Sequence, residues 1–152
     1  MAKFKFKEGY KTHATVLNDV FNKKNAEGEP YKQAYNAVWE IVSGKKIWFP
    51  YIAVIDKKTG AWKQPNVKID WINIPSQDER AITQIPLATD EKNAPKPNPD
   101  DVYAVFGCTD PNGGDEKYRF YGIYSCAQHE NGICIWERKS LELNTEEWKA
   151  EE

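Results

Sequence analysis

The pattern of apolar and polar positions changes at Gly44 and divides the chain into a helical part and a β-rich part. In residues 10–44, apolar positions recur at helical spacing in two segments. The first follows Thr12, a favourable N-cap, and contains Val16, Leu17, Val20 and Phe21. The second opens at Pro30 and carries a stripe formed by Tyr31, Ala34, Tyr35, Val38, Trp39 and Val42. The spacing therefore predicts two N-terminal helices.

Short apolar runs separated by turn residues predict a β-rich part over residues 45–143. The runs occupy residues 47–55, 67–72, 81–85, 102–108, 117–126 and 133–138. Residues 86–101 contain four of the nine prolines and are expected to form a long surface loop. Phe4 and Phe6 alternate with lysines as in a short strand, and Asn144 or Thr145 can cap a closing helix over residues 144–150.

These elements predict one α+β domain spanning residues 1–152. A chain of 152 residues is long enough to bury a core of its own and short for two domains. Two N-terminal helices followed by six or seven strands favour a curved, mostly antiparallel sheet or a small pseudo-barrel flanked by the helices.

Apolar runs and cysteines indicate a cytoplasmic protein. No apolar run approaches the roughly 20 residues that span a bilayer, and the first residues do not resemble a signal peptide, so no membrane partner is expected. The odd set of three cysteines, Cys108, Cys126 and Cys134, argues against a disulfide framework.

The net charge of −2 conceals a division between the two halves of the chain. Residues 1–70 hold 13 Lys and Arg against 7 Asp and Glu, whereas residues 71–152 hold 8 against 16. The basic first half could follow a phosphate backbone. The alternative is that these lysines keep the surface soluble.

Two neighbouring runs, residues 118–124 and residues 133–138, combine aromatic residues with one arginine each. Arginine beside aromatic rings is typical of sites for flat, polar, often anionic ligands. Alternation along a strand would place Arg119 and Tyr121 on one face and Tyr118, Phe120 and Tyr124 on the other. We therefore expect Arg119 and Tyr121 to be the functional pair.

The twenty aromatic residues exceed what a core of this size requires, so some are expected to line a cleft. A pocket walled by rings could stack a base while Asp70, Asn73 or Asp78 contacts its hydrogen-bonding edge. The alternative is that the rings pack between the sheet and the helices.

Two sets of residues have the types found in metal sites, and each has a competing explanation. Cys126 and His129 form the only pair with zinc-knuckle spacing, which argues against structural zinc. Asp100, Glu137 and Lys139 imitate the residue types of a metal-dependent nuclease, but turn chemistry explains the Pro99-Asp100 pair equally well. No cofactor is predicted, and no nucleophile–base pair indicates an enzyme.

Two stretches carry a family resemblance. The stretch Tyr118-Arg119-Phe120-Tyr121-Gly122-Ile123-Tyr124 resembles a strand of PUA-like modules, the superfamily that includes the SRA and EVE domains of bacterial restriction systems. The stretch from Trp71 to Asp78 is similar to a "W-x-N-x-x-S-x-D" segment of such modules, and residues 138–143 look like their closing strand.

The resemblance implies a small pseudo-barrel that binds DNA or RNA without catalysis and, in several branches, accepts a flipped modified base. It implies base contacts from Trp71, Asn73 and Asp78, with Arg119 and Arg138 near the backbone. It also implies a bacterial or phage origin. The alternatives are a small-ligand or protein-interaction module that uses the same aromatic pocket and, more distantly, the metal nuclease.

Overall fold

The computed structural model describes residues 9–34, 38–63, 65, 71–86, 97–110, 112, 114–130, 132–144 and 146–148, with the backbone alone for Trp71 and Asp115. Within them lie one α-helix, α1 (His13–Asp19), one short 3-10 helix (Gly114–Glu116) and nine strands. The strands are β1 (Val38–Val42), β2 (Lys45–Trp48), β3 (Val54–Ile55), β4 (Trp62–Lys63), β5 (Trp71–Pro75), β6 (Ala81–Pro86), β7 (Val102–Gly107), β8 (Arg119–Glu130) and β9 (Ile133–Ser140). The predicted strand at Phe4 and Phe6, Asp70 and most of the proline-rich loop lie outside the described residues.

Seven strands form one mixed sheet in the order β1-β2-β7-β8-β9-β6-β5. Strands β2 and β7 run parallel, and every other neighbouring pair is antiparallel. The order ends at β1 and β5, so the sheet is open and the predicted pseudo-barrel is wrong. Strands β3 and β4 pair only with each other, as a separate hairpin.

The second predicted helix is also wrong, because its C-terminal half forms β1. Val38, Ile41 and Val42 are β-branched and favour a strand over a helix. Gly44, with φ of 81°, completes the tight turn that pairs β1 with β2. The apolar stripe was compatible with both periods, and pairing with β2 decided between them.

The first predicted helix is confirmed as α1. The Thr12 side chain accepts a hydrogen bond from the Thr15 backbone N–H at 3.1 Å, as expected of an N-cap. Toward the C-terminus, residues 146–148 form a turn in which Asn144 accepts a hydrogen bond from the Glu146 backbone. No helix in the described part of the chain is long and apolar enough to cross a membrane.

Two separate cores pack on the sheet. The helix-side core joins α1 and the C-terminal segment to the sheet and includes Val16, Leu17, Phe21, Phe106, Tyr118, Ile123, Leu143 and Trp148. The second, which we call the aromatic core, consists of Trp48, Ile52, Ile82, Tyr103, Val105, Tyr121, Tyr124, Cys126, Cys134 and Trp136. Five of its ten members are aromatic, and one of them is Tyr121, a residue expected to be functional.

Candidate nucleic-acid interface

The rings of the aromatic core pack against one another. The Trp136 ring lies 4.9 Å from that of Trp48 and 4.8 Å from that of Tyr103, measured between centroids. All three side chains are buried. Contacts of this kind stabilise a core by edge-to-face and tilted packing. The described residues therefore form a packed aromatic cluster and do not confirm the open aromatic pocket predicted from the sequence.

A polar row borders this cluster at the β5 edge of the sheet. Asn73 on β5 is paired with Gln84 on β6, and Gln84 is paired with Cys134 on β9. Directly opposed residues of antiparallel strands project from the same face of a sheet. Because Cys134 belongs to the aromatic core, Asn73 and Gln84 lie on that same face.

Of the two polar atoms in the Asn73 side-chain amide, one has a hydrogen-bond partner among the described residues and the other has none. The side chain is 3% exposed, and its Nδ2 donates a hydrogen bond to the Tyr51 carbonyl at 2.9 Å. Its Oδ1 is buried and has no hydrogen-bond partner in the described part of the chain. A buried acceptor without a donor costs about 1–3 kcal/mol. A ligand that brings a donor to this oxygen would recover that free energy.

Gln84, which the sequence reasoning missed, fixes the neighbouring ring. Its Oε1 accepts a hydrogen bond from the Trp136 indole N–H at 3.4 Å, and its side chain is 7% exposed. One signal in the sequence could have identified it. Gln84 is two residues from Ile82, so strand alternation places a polar amide on the face that Ile82 buries.

At the other end of the aromatic core, five residues form a second cluster, which we call the latch: Glu79, Arg119, Tyr121, Tyr124 and Arg138. The Arg119 guanidinium donates two hydrogen bonds to the Glu79 carboxylate, at 3.3 and 2.7 Å. It also lies 3.9 Å from the centre of the Tyr121 ring. Burial lowers the pKa of Arg119, but its interactions with Glu79 and Tyr121 raise the pKa by more, so the net shift is upward. The charge of Arg119 is thus already compensated within the protein.

The remaining latch contacts attach the β5–β6 turn to β8 and β9. The Tyr124 hydroxyl donates a hydrogen bond to the Glu79 carbonyl, and burial raises the pKa of Tyr124 to about 12. The Arg138 backbone N–H donates to the Arg80 carbonyl at 2.8 Å, and its guanidinium donates to the Tyr121 carbonyl at 3.3 Å. The turn is therefore held by backbone and side chain together.

A β-bulge at Tyr121 determines which residues join the latch. Phe106 pairs with Phe120 and Val105 with Gly122, so Tyr121 is an extra residue on β8. The bulge restarts the alternation, and Tyr124 joins Tyr121 in the aromatic core. The prediction that Tyr124 shares a face with Tyr118 and Phe120 is therefore wrong.

Two glycines make room for this arrangement. A Cβ at Gly107 would lie 2.7 Å from the Tyr121 ring and 2.6 Å from Ile52. A Cβ at Gly122 would lie 2.9 Å from the Ser140 carbonyl oxygen, and Gly122 has φ of 137°. Side chains essentially never tolerate either environment without displacement, so both positions require glycine.

Asp78 contributes to the β5–β6 turn itself. Its carboxylate accepts hydrogen bonds from the Arg80 backbone N–H at 3.1 Å and from the Ser76 hydroxyl at 2.9 Å. These two bonds, the backbone bond first, lower the pKa of Asp78. Trp71 is the first residue of β5 and is paired with Pro86. The structure describes only the backbone of this residue.

The structure thus brings together three of the six residues expected to bind a ligand, Arg119, Tyr121 and Arg138. Asp78 lies in the adjoining turn. Asn73 lies apart from them. It pairs with Gln84, whereas the backbone of Arg138 contacts Arg80, and these two partners are four residues apart in the sequence, roughly 13 Å at strand spacing. We call the Asn73 region the open end of the aromatic core, where open refers to the buried Oδ1 that has no hydrogen-bond partner among the described residues.

Neither metal hypothesis gains geometric support from the described residues. They contain no group of three or more His, Cys, Asp or Glu side chains placed to hold a metal ion. The three cysteines are buried free thiols, and burial raises the pKa of Cys134 to about 12. The Glu137 carboxylate oxygen Oε2 lies 3.7 Å from the Lys139 Nζ. Asp100 lines a cleft that neither Glu137 nor Lys139 lines.

That cleft, of about 850 Å³, lies near the β1–β2 turn and the C-terminal segment. Among the described residues, three carboxylates, those of Asp100, Glu142 and Glu147, line it with a single cation, Lys45. A negative lining repels phosphate and favours cationic groups. The cleft is therefore a poor place for DNA.

Comparisons with known proteins agree with this fold. The family model of the SRA domain, the SET and RING associated domain, matches residues 6–145. Among solved structures, the chain is similar to "The 5-Hydroxymethylcytosine-Specific Restriction Enzyme AbaSI", with a TM-score of 0.58 and 23% identity. The match covers 93% of this chain and 40% of that one, and at this identity it concerns the fold alone. No curated protein matches the chain by sequence.

Proposed function

Because this chain belongs to the SRA domain family, we propose that it is a non-catalytic module that binds DNA and reads a modified cytosine at the open end of the aromatic core. The fold relative AbaSI is a 5-hydroxymethylcytosine-specific restriction enzyme, which supports modified cytosine as the ligand class. The present chain spans 40% of that protein's length, so nuclease activity is not included in the proposal.

The proposal rests on the Oδ1 of Asn73, which is buried and has no hydrogen-bond partner among the residues that the structure describes. Cytosine presents an N4 amine, a hydrogen-bond donor, and keeps it when C5 is modified. A base turned out of the duplex exposes this donor to a protein pocket. Asn73 supplies a buried acceptor whose orientation is fixed by the bond from Nδ2 to Tyr51. In the proposal, this oxygen accepts the N4 hydrogen bond.

The other predicted residues take supporting roles. Trp71, two residues before Asn73 in the sequence, remains the proposed stacking partner of the base. We assign Arg119, Tyr121 and Arg138 to positioning, because the latch contacts already occupy them. Asp78 positions the turn that carries Glu79.

Fluorescence anisotropy with matched duplexes tests the proposal. Three duplexes of one sequence would carry cytosine, 5-methylcytosine or 5-hydroxymethylcytosine at the central position. We expect tighter binding of one modified duplex, and Asn73→Ala should weaken binding of all three duplexes about tenfold or more, because each of the three bases keeps the N4 amine. Asn112→Ala, at an exposed asparagine between β7 and β8, is the matched control.

Asn73→Ala also removes the bond to Tyr51, so thermal unfolding should accompany the titrations to verify the fold. We expect that loss to cost about 1 kcal/mol, which leaves the domain folded. Unchanged affinity of folded Asn73→Ala for all three duplexes, or equal binding of all three duplexes by the parent protein, would refute base reading.

A second candidate function has one observation in its favour, the acidic cleft. Its volume lies within the range of small-ligand pockets, roughly 300–1,000 Å³. Its carboxylates suit a cationic peptide. The alternative that the chain is a protein-interaction module therefore concerns this cleft and not the aromatic core. Calorimetric titration with a short arginine-containing peptide tests it, and binding that disappears in Glu142→Gln/Glu147→Gln would favour this candidate.

A further inference from the structure

The β3–β4 hairpin carries a basic and apolar surface that the base-reading site does not use. We propose that this hairpin contacts the phosphate backbone and sugars of duplex DNA, an inference that rests on the proposed function. It would supply the sequence-independent part of binding, while Asn73 supplies the discrimination between bases.

The hairpin is well defined despite its short strands. Val54 pairs with Lys63 and Ile55 with Trp62. The Asp56 carbonyl accepts the Gly60 N–H at 2.7 Å, and the Asp56 carboxylate accepts the Lys58 N–H at 2.9 Å. These bonds fix the turn, so the side chains around it project from a shaped element.

The charge of the hairpin is positive and uncompensated. Lys57, Lys58 and Lys63 are exposed, and none of them forms an ion pair with another described residue. Asp56 is the only acidic residue among residues 54–63, which gives the segment a net charge of +2. In a chain of net charge −2, such a local excess marks a surface that attracts polyanions.

An apolar pair accompanies the lysines. Ile55 is 57% exposed and Trp62 is 41% exposed, and the two lie directly opposite each other. Trp beside Lys suits nucleic acid, because an aromatic ring contacts sugars and bases while ammonium groups contact phosphates. A hydrophobic protein partner would gain nothing from the three surrounding charges, so we favour the polyanion.

The hairpin starts at the open end of the aromatic core. The Ala53 N–H donates a hydrogen bond to the Asn73 carbonyl at 2.8 Å, and β3 begins at the next residue. The residue that would read the base therefore also anchors the strand that leads into the basic turn. One duplex could engage both.

The salt dependence of DNA binding tests this inference. The slope of log affinity against log salt is negative, and each lost phosphate contact makes it shallower by about 0.9, so Lys57→Ala/Lys58→Ala should reduce its magnitude by about 1.8. The matched control is Lys24→Ala/Lys32→Ala, two exposed lysines in the segment that follows α1. Trp62→Ala should weaken binding about tenfold with little change in slope, because an apolar contact releases no counterion.

The lysine variants separate this inference from base reading. The hairpin variant should weaken binding of modified and unmodified duplexes equally and make the salt slope shallower, whereas Asn73→Ala should weaken binding with the slope unchanged, because a neutral base contact releases no counterion. An unchanged slope in Lys57→Ala/Lys58→Ala, or an equal decrease in the control, would overturn the inference. A shallower slope in Lys57→Ala/Lys58→Ala, together with equal binding of all three duplexes by the parent protein, would retain the hairpin surface and refute base reading alone.

Discussion

The two ends of the aromatic core differ in how completely their polar groups are satisfied. In the latch, Arg119 has a carboxylate and a ring as partners, and the Tyr124 hydroxyl has a carbonyl. At the open end, the Asn73 oxygen has no partner among the described residues, and the exposed lysines of the adjoining hairpin form no ion pair within that part of the chain.

This difference separates residues that maintain the fold from residues available to a ligand. A side chain whose hydrogen bonds are already made gains little from DNA, because the existing bonds must first be broken. An unsatisfied acceptor or an unpaired lysine carries no such cost. We therefore expect substitutions in the latch to change stability, and substitutions at the open end to change binding.

The largest effect on stability should come from Gly122→Ala. Alanine would adopt φ near 137° with strain and approach the Ser140 carbonyl. Backbone strain and overpacking together should cost about 3 kcal/mol. Urea denaturation measures this loss, and Gly28→Ala is the matched control because φ there is 78° with nothing within 4 Å of the added Cβ.

The control isolates the cost of the backbone conformation, about 1–2 kcal/mol for a left-handed alanine. Gly122→Ala should exceed it clearly, while the DNA affinity of the folded fraction stays unchanged. Equal losses in the two variants would show that the bulge beside the latch tolerates a side chain, and the distinction between the two ends would lose its structural basis.

The strands of the second half were predictable from sequence because apolar runs and turn residues alternate there. The hairpin between β8 and β9 turns at Gly132, which has φ of 80°, two residues past the end of β8 at Glu130. The segment before Gly44 was harder, since its apolar stripe fits a helix period and its β-branched residues fit a strand. Pairing with β2, a contact outside the segment, settled it.

Site residues were predictable as residue types but not as partners. Arg119 and Tyr121 were expected to act together, and they do lie in contact. The pairing of Arg119 with Glu79 depends on a contact between residues 40 positions apart, which no local pattern contains. The bulge at Tyr121 has the same character, because only pairing with β7 reveals the extra residue.

A smaller effect should follow from Tyr124→Phe. The variant loses the bond to the Glu79 carbonyl, at a cost of about 1 kcal/mol. The folded pKa of about 12 lies above the ordinary tyrosine value of 10.0, so Tyr124 stabilises the fold below pH 10 and loses this contribution as pH rises through 12. Denaturation between pH 9 and pH 12 should show a shallower decline in Tyr124→Phe than in the parent protein. Parallel declines would contradict a role for this hydroxyl.

The smallest effect should come from separating Glu79 and Arg119. Their side chains are 33% and 47% exposed, so solvent screens the pair, and we expect a coupling of about 0.5 kcal/mol in a double-mutant cycle with Glu79→Gln and Arg119→Ala. Glu79 also has φ of 63°, which costs any residue other than glycine. Glu79→Gly should therefore regain part of what the lost pair removes.

The same variants decide whether the latch merely positions the turn. If Arg119 serves only to hold Glu79, then Glu79→Gln leaves DNA affinity and its salt slope unchanged. If Arg119 can instead contact a phosphate once Glu79 no longer binds it, Glu79→Gln should steepen the salt slope of DNA binding by about 0.9. Adding Arg119→Ala to Glu79→Gln should then return the slope to its original value. We expect the first result, because the bidentate bond and the Tyr121 ring hold the guanidinium in place without a ligand. The second would make the latch part of the DNA interface and remove the division between the two ends of the aromatic core.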